Sequence, residues 1–418
     1  MSAGSRPLRV VVVGAGMVGV CTALWLQESG HEVTLIDRGA PGRATSYGNA
    51  GIFATYSCIP INSPRRFVDT PSMLFDAHGP LSIQWSYLPR FLPWALRFLA
   101  ACRPGRVRAT VRALGAILAH AEEGFRPLAR RAGIDSLLGE AGALYVYESE
   151  ESWRRDRGNR ERRRANGVAF RELDASEVFE LEPALANVVH RGIHFDDVYH
   201  LRNPHAVVDG LARAFVQWGG RLLHAEVKSI AGGIPGLLEV VSSGERLPAD
   251  RVVVAAGAWS TRLLGPLAAG IPLDTERGYH VMFPEAASLL SRPVAPVDGG
   301  FFMTPMEGGL RAAGTVEFAG LDAPPRQARV EALTAAARRL LPDLGDPAES
   351  WLGFRPTLPD SLPAIGPLPS DPRILCAFGH QHLGMTLGGI TGKLVAELVD
   401  GAPRPSVDLA PFRPDRFA

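Results

Sequence analysis

The sequence predicts an α/β protein of two domains, and three stretches carry that prediction. The first is 11–19, VVVGAGMVG, in which a β-branched run reading as a buried strand meets a G-x-G-x-x-G turn and then a helix. The second is 221–257, where short apolar strands alternate with turns instead of helices. The third is the C-terminal stretch from Trp351, dense in glycine and proline and closed by an apolar helix.

Taken in order, 9–13 is the first strand. Gly14 permits a tight turn, Gly16 lets the backbone approach a pyrophosphate, and Gly19 lets the helix over 18–29 pack on the strand. With Met17 and Val18 these residues present a helix N-terminus, whose amides and dipole favour an anion. Gly30 reads as the helix stop. The second strand, 32–36, ends at Asp37, placed to hold a ribose hydroxyl, with Arg38 beside it. An ordinary βαβ turn is the bland alternative. The strand, the helix and the acid all fall where dinucleotide binding needs them.

The loop ATSYGNAG follows, and Ser46, Asn49, Ala50 and Gly51 suit a backbone passing close to a flat ring. Between 81 and 132 the pattern turns helical, with Leu88, Phe91, Leu92, Ala95, Leu96 and Leu99 as an apolar stripe flanked by arginines. Core packing is the expected use of that stripe; a basic, aromatic face resting on a bilayer is the alternative. A strand over 143–148, a helix over 172–184, a strand from 192 and a helix opened by Asn203 and Pro204 complete the middle of the chain.

The stretch 221–257 discriminates between cofactors. RLLHAEVKSI, LLEVVSS and RVVVAAG, separated by GGIPG and SGERLPAD, read as a β-meander ending in a buried strand. A nicotinamide enzyme would continue with further βαβ units, whereas two-domain FAD oxidoreductases insert a meander and return to the cofactor through an A-x-G turn. Ala255, Ala256, Gly257 and Trp259 are candidates for that turn, and Val227 for the residue facing adenine. Strands over 271–319 and a helix over 330–341 join the 143–148 strand in a substrate sheet. Finally, Gly384, Gly388 and Gly389 read as a glycine loop feeding a helix over 390–398, suited to the pyrimidine end of a flavin. The fold expected is a Rossmann-like, glutathione-reductase-type FAD-binding domain with a β-meander (1–80, 196–265 and 350–418), plus an α+β substrate domain with a mixed sheet (81–195 and 266–349).

Composition excludes several alternatives. A net charge of +1 over 418 residues gives no footprint for nucleic acid. The arginine-rich run 154–164 alternates with acids and reads as a solvated helix face. Four scattered cysteines form no C-x-x-C, so neither a metal site nor a disulfide framework is expected. The chain enters its first strand almost at once and has no apolar run of membrane-spanning length. A cytoplasmic protein is expected, with peripheral contact at the inner membrane face as the alternative.

VVVGAGMVG, TSYGNAG, VVVAAGAWS, ERGYH, GFRPTLPDSLPAIG and GHQHLGMTLG together resemble the FAD-dependent D-amino acid dehydrogenase family, which is related to glycine and sarcosine oxidases and to D-amino acid oxidase. The resemblance covers nearly the whole chain in order. It adds Gly353 and the run Gly379, His380, Gln381, His382, Leu383, Gly384, Met385 and Thr386 to the candidate cofactor contacts. Where bacterial D-amino acid dehydrogenases usually read GHGTLG, this chain has Gln381 and His382. That departure resembles the branch acting on D-proline and 4-hydroxy-D-proline.

An amino acid substrate needs a partner for its carboxylate, and a guanidinium offers two parallel hydrogen bonds. Arg355 is the candidate; the bland alternative pairs it with Asp360 to brace the loop. The resemblance places Tyr279 in the pocket as a second donor. His382 and His280 are candidates for a polar wall near the substrate amine, and His200 could also reach it. The reaction implied is hydride transfer from Cα to flavin N5, giving an imine. Electrons would pass to a quinone or other acceptor. An oxidase, a flavoenzyme for 2-hydroxy acids and a non-catalytic nucleotide-binding protein are the competing readings.

Overall fold

The structure, a computed structural model, describes residues 6–62, 81–186, 188–232 and 237–417. Most of the GGIPG turn and the 63–80 end of the first expected domain segment lie outside the described residues.

The valine run that opens the chain becomes the strand Arg9–Val13, near the middle of a six-stranded sheet. Strands run in the order Arg221–His224, Glu32–Asp37, Arg9–Val13, Arg251–Val254, Ile374–Phe378 and Ala364–Pro367; all pair in parallel except the last. Such a run suits a strand covered on both faces. Val10 and Val12 pack under the helices Met17–Glu28, Pro204–Gln217 and Gly384–Val399. Val11 and Val13 pack under the meander on the opposite face, with Ile230, Leu238, Val240 and Leu247.

The meander differs from its expected boundaries. The stretch 221–230 is two strands: Arg221–His224 extends the parallel sheet, and Val227–Gly232 turns away to pair with Leu238–Ser242. The third meander strand, Arg246–Ala249, occupies part of the stretch read as a turn, and Arg251–Val254 has already returned to the parallel sheet. Edge pairing to Glu32–Asp37 is non-local, so no period in 221–230 marks the break.

A second sheet of nine strands is mixed. Its spine runs Glu349–Thr357, Asp274–Phe283, Gly309–Phe318, Phe301–Met306, Val294–Pro296, Ala143–Tyr147, Arg191–Phe195 and Arg171–Asp174, with Leu81–Ile83 beside Gly309–Phe318. The helix Gln327–Leu340 packs on it. Glu349–Thr357 therefore pairs with this sheet, although the sequence places residues from 350 onward with the cofactor domain. The helix expected over 172–184 is shorter, Ala175–Leu181. Asp174 and Glu177 close a capping box, and the residues before it form a strand.

The stripe at 88–99 lies on the helix Leu88–Ala101, but the buried line runs through Phe91 and Trp94, with Phe98 half-buried beside them. Leu92 and Leu96 of the expected core face are 51% and 59% exposed. The run 154–164 is largely solvated, but Asp156, Arg160 and Arg163 are buried. The Arg160 guanidinium lies over the Trp153 ring and that of Arg163 near the Asp156 carboxylate.

The glycines of the closing helix have a different use from the one expected. The helix starts at Gly384, so Gly388 and Gly389 are inside it and not in a loop before it. A Cβ on Gly389 would collide with the backbone of Gly124, one on Gly392 with Cys21 and Thr22, and one on Gly388 with Met17. Three helices thus cross at backbone distance behind the sheet. Among the described residues, no helix is long and apolar enough to cross a membrane.

Candidate active site

A cavity of about 890 Å³ opens where the carboxyl ends of the parallel strands face the nine-stranded sheet. Ligands of α/β proteins bind outside such strand ends because helix N-termini and loops converge there. Val13, Gly14, Ala255 and Ala377 line it from one side; Gly278, Ala313, Gly314, Gly353 and Arg355 line it from the other.

The glycine turn is built as the spacing requires. Gly14 has φ 109°, and a Cβ there would run into the Ala255 carbonyl. A Cβ on Gly19 would meet the Gly14 carbonyl, so Gly19 sits behind the wall and contributes packing only. Met17 N donates to Ser46 Oγ at 3.1 Å, tying the helix start to the 44–51 loop. Asp37 accepts from Ala15 N at 2.7 Å and from Gly39 N at 2.8 Å, which holds its carboxylate at the end of its strand. Arg38 lies over the Trp259 ring, 4.7 Å from its centroid. Gly14, Gly16, Met17, Val18, Asp37, Arg38, Ser46, Asn49, Ala50, Gly51, Val227, Ala256, Gly257, Trp259, Gly353, His380, Gln381, Gly384 and Met385 all line this one cavity.

Four cofactor candidates stand outside it. Besides Gly19, Gly379 is a turn residue at φ 86°, packed against Leu358. Leu383 is core, and the buried hydroxyl of Thr386 accepts from Ala54 N at 2.9 Å. Chain neighbours of cavity residues point to alternate sides of a wall, which a sequence motif does not record.

Arg355 lines the cavity. Its Nη1 donates to the Thr315 carbonyl at 2.7 Å and its Nη2 to the Gly314 carbonyl at 3.2 Å. The expected alternative partner, Asp360, is instead paired with Arg416 at 2.7 Å. Two backbone carbonyls fix the plane of the guanidinium and leave further N–H donors of the fork for a carboxylate. Enclosure pulls the Arg355 pKa down, and Glu276, opposite it on the adjacent strand, acts against that.

Tyr279 also lines the cavity, but its hydroxyl is spent elsewhere. It donates to Glu317 Oε2 at 2.7 Å and accepts from Arg326 N at 3.0 Å, so the expected second donor to the substrate is a brace of the sheet behind. His382 opens onto the cavity; surrounding protein and the nearby Arg355 charge push its pKa down to about 4, leaving it neutral. His280 is a correction: it is fully buried, shares a hydrogen bond with the Gly48 carbonyl at 2.9 Å and stacks on the Trp351 ring, behind the wall. His200 is likewise buried away from the cavity, against Gly139. The His380 ring is committed to Thr391 Oγ1 at 2.9 Å.

Sequence reasoning missed Gly278, Thr315 and Glu276. A Cβ on Gly278 would strike the Arg355 guanidinium, so the glycine of ERGYH makes room for that side chain. A glycine inside a strand is a signal of close approach and could have found it. Thr315 is one of three described non-glycine residues at positive φ, with Ser361 and Gln381. Thr315 and Gln381 both line the cavity, where such strain concentrates. Tyr145 and Phe302 add an apolar wall on the substrate side.

These residues fit a flavin dinucleotide. The glycine cradle would be filled by any Cβ, the helix N-terminus at Gly16 meets it, and the carboxylate of Asp37 and the Val227 segment extend it to adenosine length. The model of the FAD-dependent oxidoreductases matches residues 9–398. The chain belongs to that FAD-dependent oxidoreductase family. A D-amino-acid oxidase of Bradyrhizobium diazoefficiens is 38% identical over 98% of both chains. A D-amino acid dehydrogenase of Dechloromonas aromatica is 30% identical over 94% of this chain and 97% of its own length. Among solved structures, glycine oxidase from Geobacillus kaustophilus superposes with a TM-score of 0.73 at 26% identity, covering 98% of this chain and 99% of that one. FAD is thus the cofactor of this oxidoreductase.

Proposed function

We propose that the enzyme oxidises D-amino acids at Cα, with D-proline and cis-4-hydroxy-D-proline as preferred substrates. The observation that carries the reading is Arg355, held by two backbone carbonyls at the wall of the FAD cavity beside a neutral His382. The names of the relatives at 38% and 30% identity support the substrate class. The preference for cyclic substrates rests on Gln381 and His382, which stand in the loop next to Arg355, and on the apolar wall of Tyr145 and Phe302.

In this reading Arg355 binds the substrate carboxylate and fixes Cα in the cavity. Neutral His382 accepts a hydrogen bond from the substrate nitrogen, while the enclosure and the Arg355 charge that keep His382 neutral also disfavour the ammonium form beside it. FAD, when bound, supplies the two-electron oxidant. The Cα–H bond breaks, the nitrogen gives up a proton and the C=N bond forms. A secondary amine yields a cyclic imine, and a primary one yields an imine that water hydrolyses. Tyr145 and Phe302 cover the substrate side. The remaining cavity residues hold FAD, and the pairing of Glu349–Thr357 with Asp274–Phe283 supports a boundary between cofactor and substrate domains after Thr357.

Electrons leave to a quinone or similar acceptor in the dehydrogenase reading. The oxidase reading is favoured by the 38% identical relative, a D-amino-acid oxidase. A panel of D-proline, cis-4-hydroxy-D-proline, D-alanine and a 2-hydroxy acid, followed as anaerobic flavin bleaching and then as peroxide yield in air, tests both. Bleaching by D-alanine and not by either cyclic substrate defeats the preference. Bleaching by the 2-hydroxy acid alone defeats the amino acid reading.

Peripheral membrane contact forms a further part of the proposal. Trp85, Leu92 and Leu96 are 69%, 51% and 59% exposed, with Arg90 and Arg97 exposed beside them. Co-sedimentation with anionic vesicles, lost in Leu92→Ser/Leu96→Ser, is the expected result.

A further inference from the structure

A second cavity, of about 340 Å³, lies behind the loop that walls the flavin site. Thr45, Ser46, Gly48 and Asn49 line the main cavity, whereas Tyr47, between them, lines the second. Arg43, Arg202 and Arg311 converge there, with Glu349 as the carboxylate among the lining residues.

Arg311 makes this a built site. Its residue is 8% exposed, Nη1 donates to the Tyr47 carbonyl at 3.1 Å and the Asn49 carbonyl at 3.0 Å, and Nε contacts Met282 Sδ. Among the described residues Nη2 has no hydrogen-bond partner, and none of the three arginines has a carboxylate within ion-pair distance. Burial pushes the Arg311 pKa down to about 10, with Glu349 acting in the other direction from beyond contact range. Asn203 is turned to Glu307 and caps its helix. His205, lowered by burial and by Arg43, adds no charge at neutral pH. Three guanidiniums against one carboxylate leave an excess of positive charge around a buried, incompletely bonded cation, an arrangement that an anion relieves.

We propose that this second cavity binds a small anion bearing a carboxylate or phosphoryl group, and that its occupancy reaches the flavin through Arg311 and the Tyr47–Asn49 backbone. The anion would bond Arg311 from the cavity side while Arg43 and Arg202 close on it from the rim, since both rim residues are exposed. Arg311 touches the loop whose other face meets the cofactor, so the two sites share a wall.

The test titrates the FAD-loaded enzyme with inorganic phosphate and with succinate, each against chloride at matched ionic strength. Flavin absorbance and thermal midpoint are read. A saturable flavin perturbation with a rise in midpoint is expected for at least one probe; which one responds separates phosphoryl from carboxylate. In Arg43→Gln/Arg202→Gln the half-saturating concentration should rise about tenfold or more, as loss of charged hydrogen bonds implies. Arg311 is kept in that variant because its loss would release the flavin loop. In Arg355→Lys the response should persist. No saturable response to either probe, an unchanged response in the double variant, or its loss in Arg355→Lys would each overturn the proposal.

Discussion

Arg355 donates through Nη1 to the carbonyl of Thr315, a residue held at φ 59° on the neighbouring wall of the cavity. A left-handed backbone at a β-branched residue costs about 1–2 kcal/mol. It is repaid here by a carbonyl that accepts from the Arg355 guanidinium, the proposed carboxylate clamp. Arg355→Lys keeps the charge and loses the planar fork. The substrate KM should rise about a hundredfold, with a smaller change in kcat, because the carboxylate contact is remote from the breaking bond. Steady-state kinetics with a dye acceptor checks it; an unchanged KM removes Arg355 from the site.

Asp37 holds Ala15 N and Gly39 N and ends the strand beside the glycine turn. Asp37→Ala leaves two backbone donors unmet and removes the proposed ribose acceptor. FAD affinity should fall about tenfold or more. Release of free flavin on dilution, followed by fluorescence, measures it.

Gly124 and Gly389 meet backbone to backbone where two helices cross. Gly124→Ala places a methyl against Gly389 and Ile390, neither of which can retreat without moving the helix that carries Gly384 to the cavity. A loss of about 3 kcal/mol in stability is expected, together with weaker flavin retention. Denaturant unfolding of the holoenzyme is the measurement.

Three buried histidines make stability fall on the acid side. Burial lowers His200 to about 4 and His280 and His380 to about 3, against the usual 6.5. In the unfolded chain they take up protons through pH 6.5, while the folded chain excludes them until about 4 or 3. The neutral forms therefore favour folding above pH 6.5, and that advantage is lost as pH falls towards the folded values. Near pH 5 each contributes about 1.4 kcal/mol per pH unit at most. Thermal midpoints at pH 7, 6 and 5 should drop with increasing steepness, and His280→Asn should flatten the drop. His382, lowered to about 4, should give kcat/KM no inflection near 6.5.

The first βαβ unit was legible because its information is local. Strand, turn, helix and acid lie within 9–37, and each residue type has one mechanical reason to be where it is. The same holds for the helix capped by Asn203, whose side chain accepts from Ala206 N. The meander was legible as a kind of structure but not in its register, since pairing of 221–224 with the second strand is set by neighbours nearly 190 residues away in sequence.

Sequence by itself determined the cofactor cradle, the fold class and the arginine at the cavity wall. Only the tertiary structure decided which faces of those segments look inward. His280 and Tyr279 adjoin in one strand of the mixed sheet, yet one ring lies behind Trp351 and the other hydroxyl serves Glu317. Gly388 and Gly389, readable as a loop feeding a helix at the pyrimidine end of the flavin, are used for helix crossings instead. The reason is physical: turn chemistry and strand runs act over a few residues, whereas the direction of a side chain is fixed by what another part of the chain packs against it.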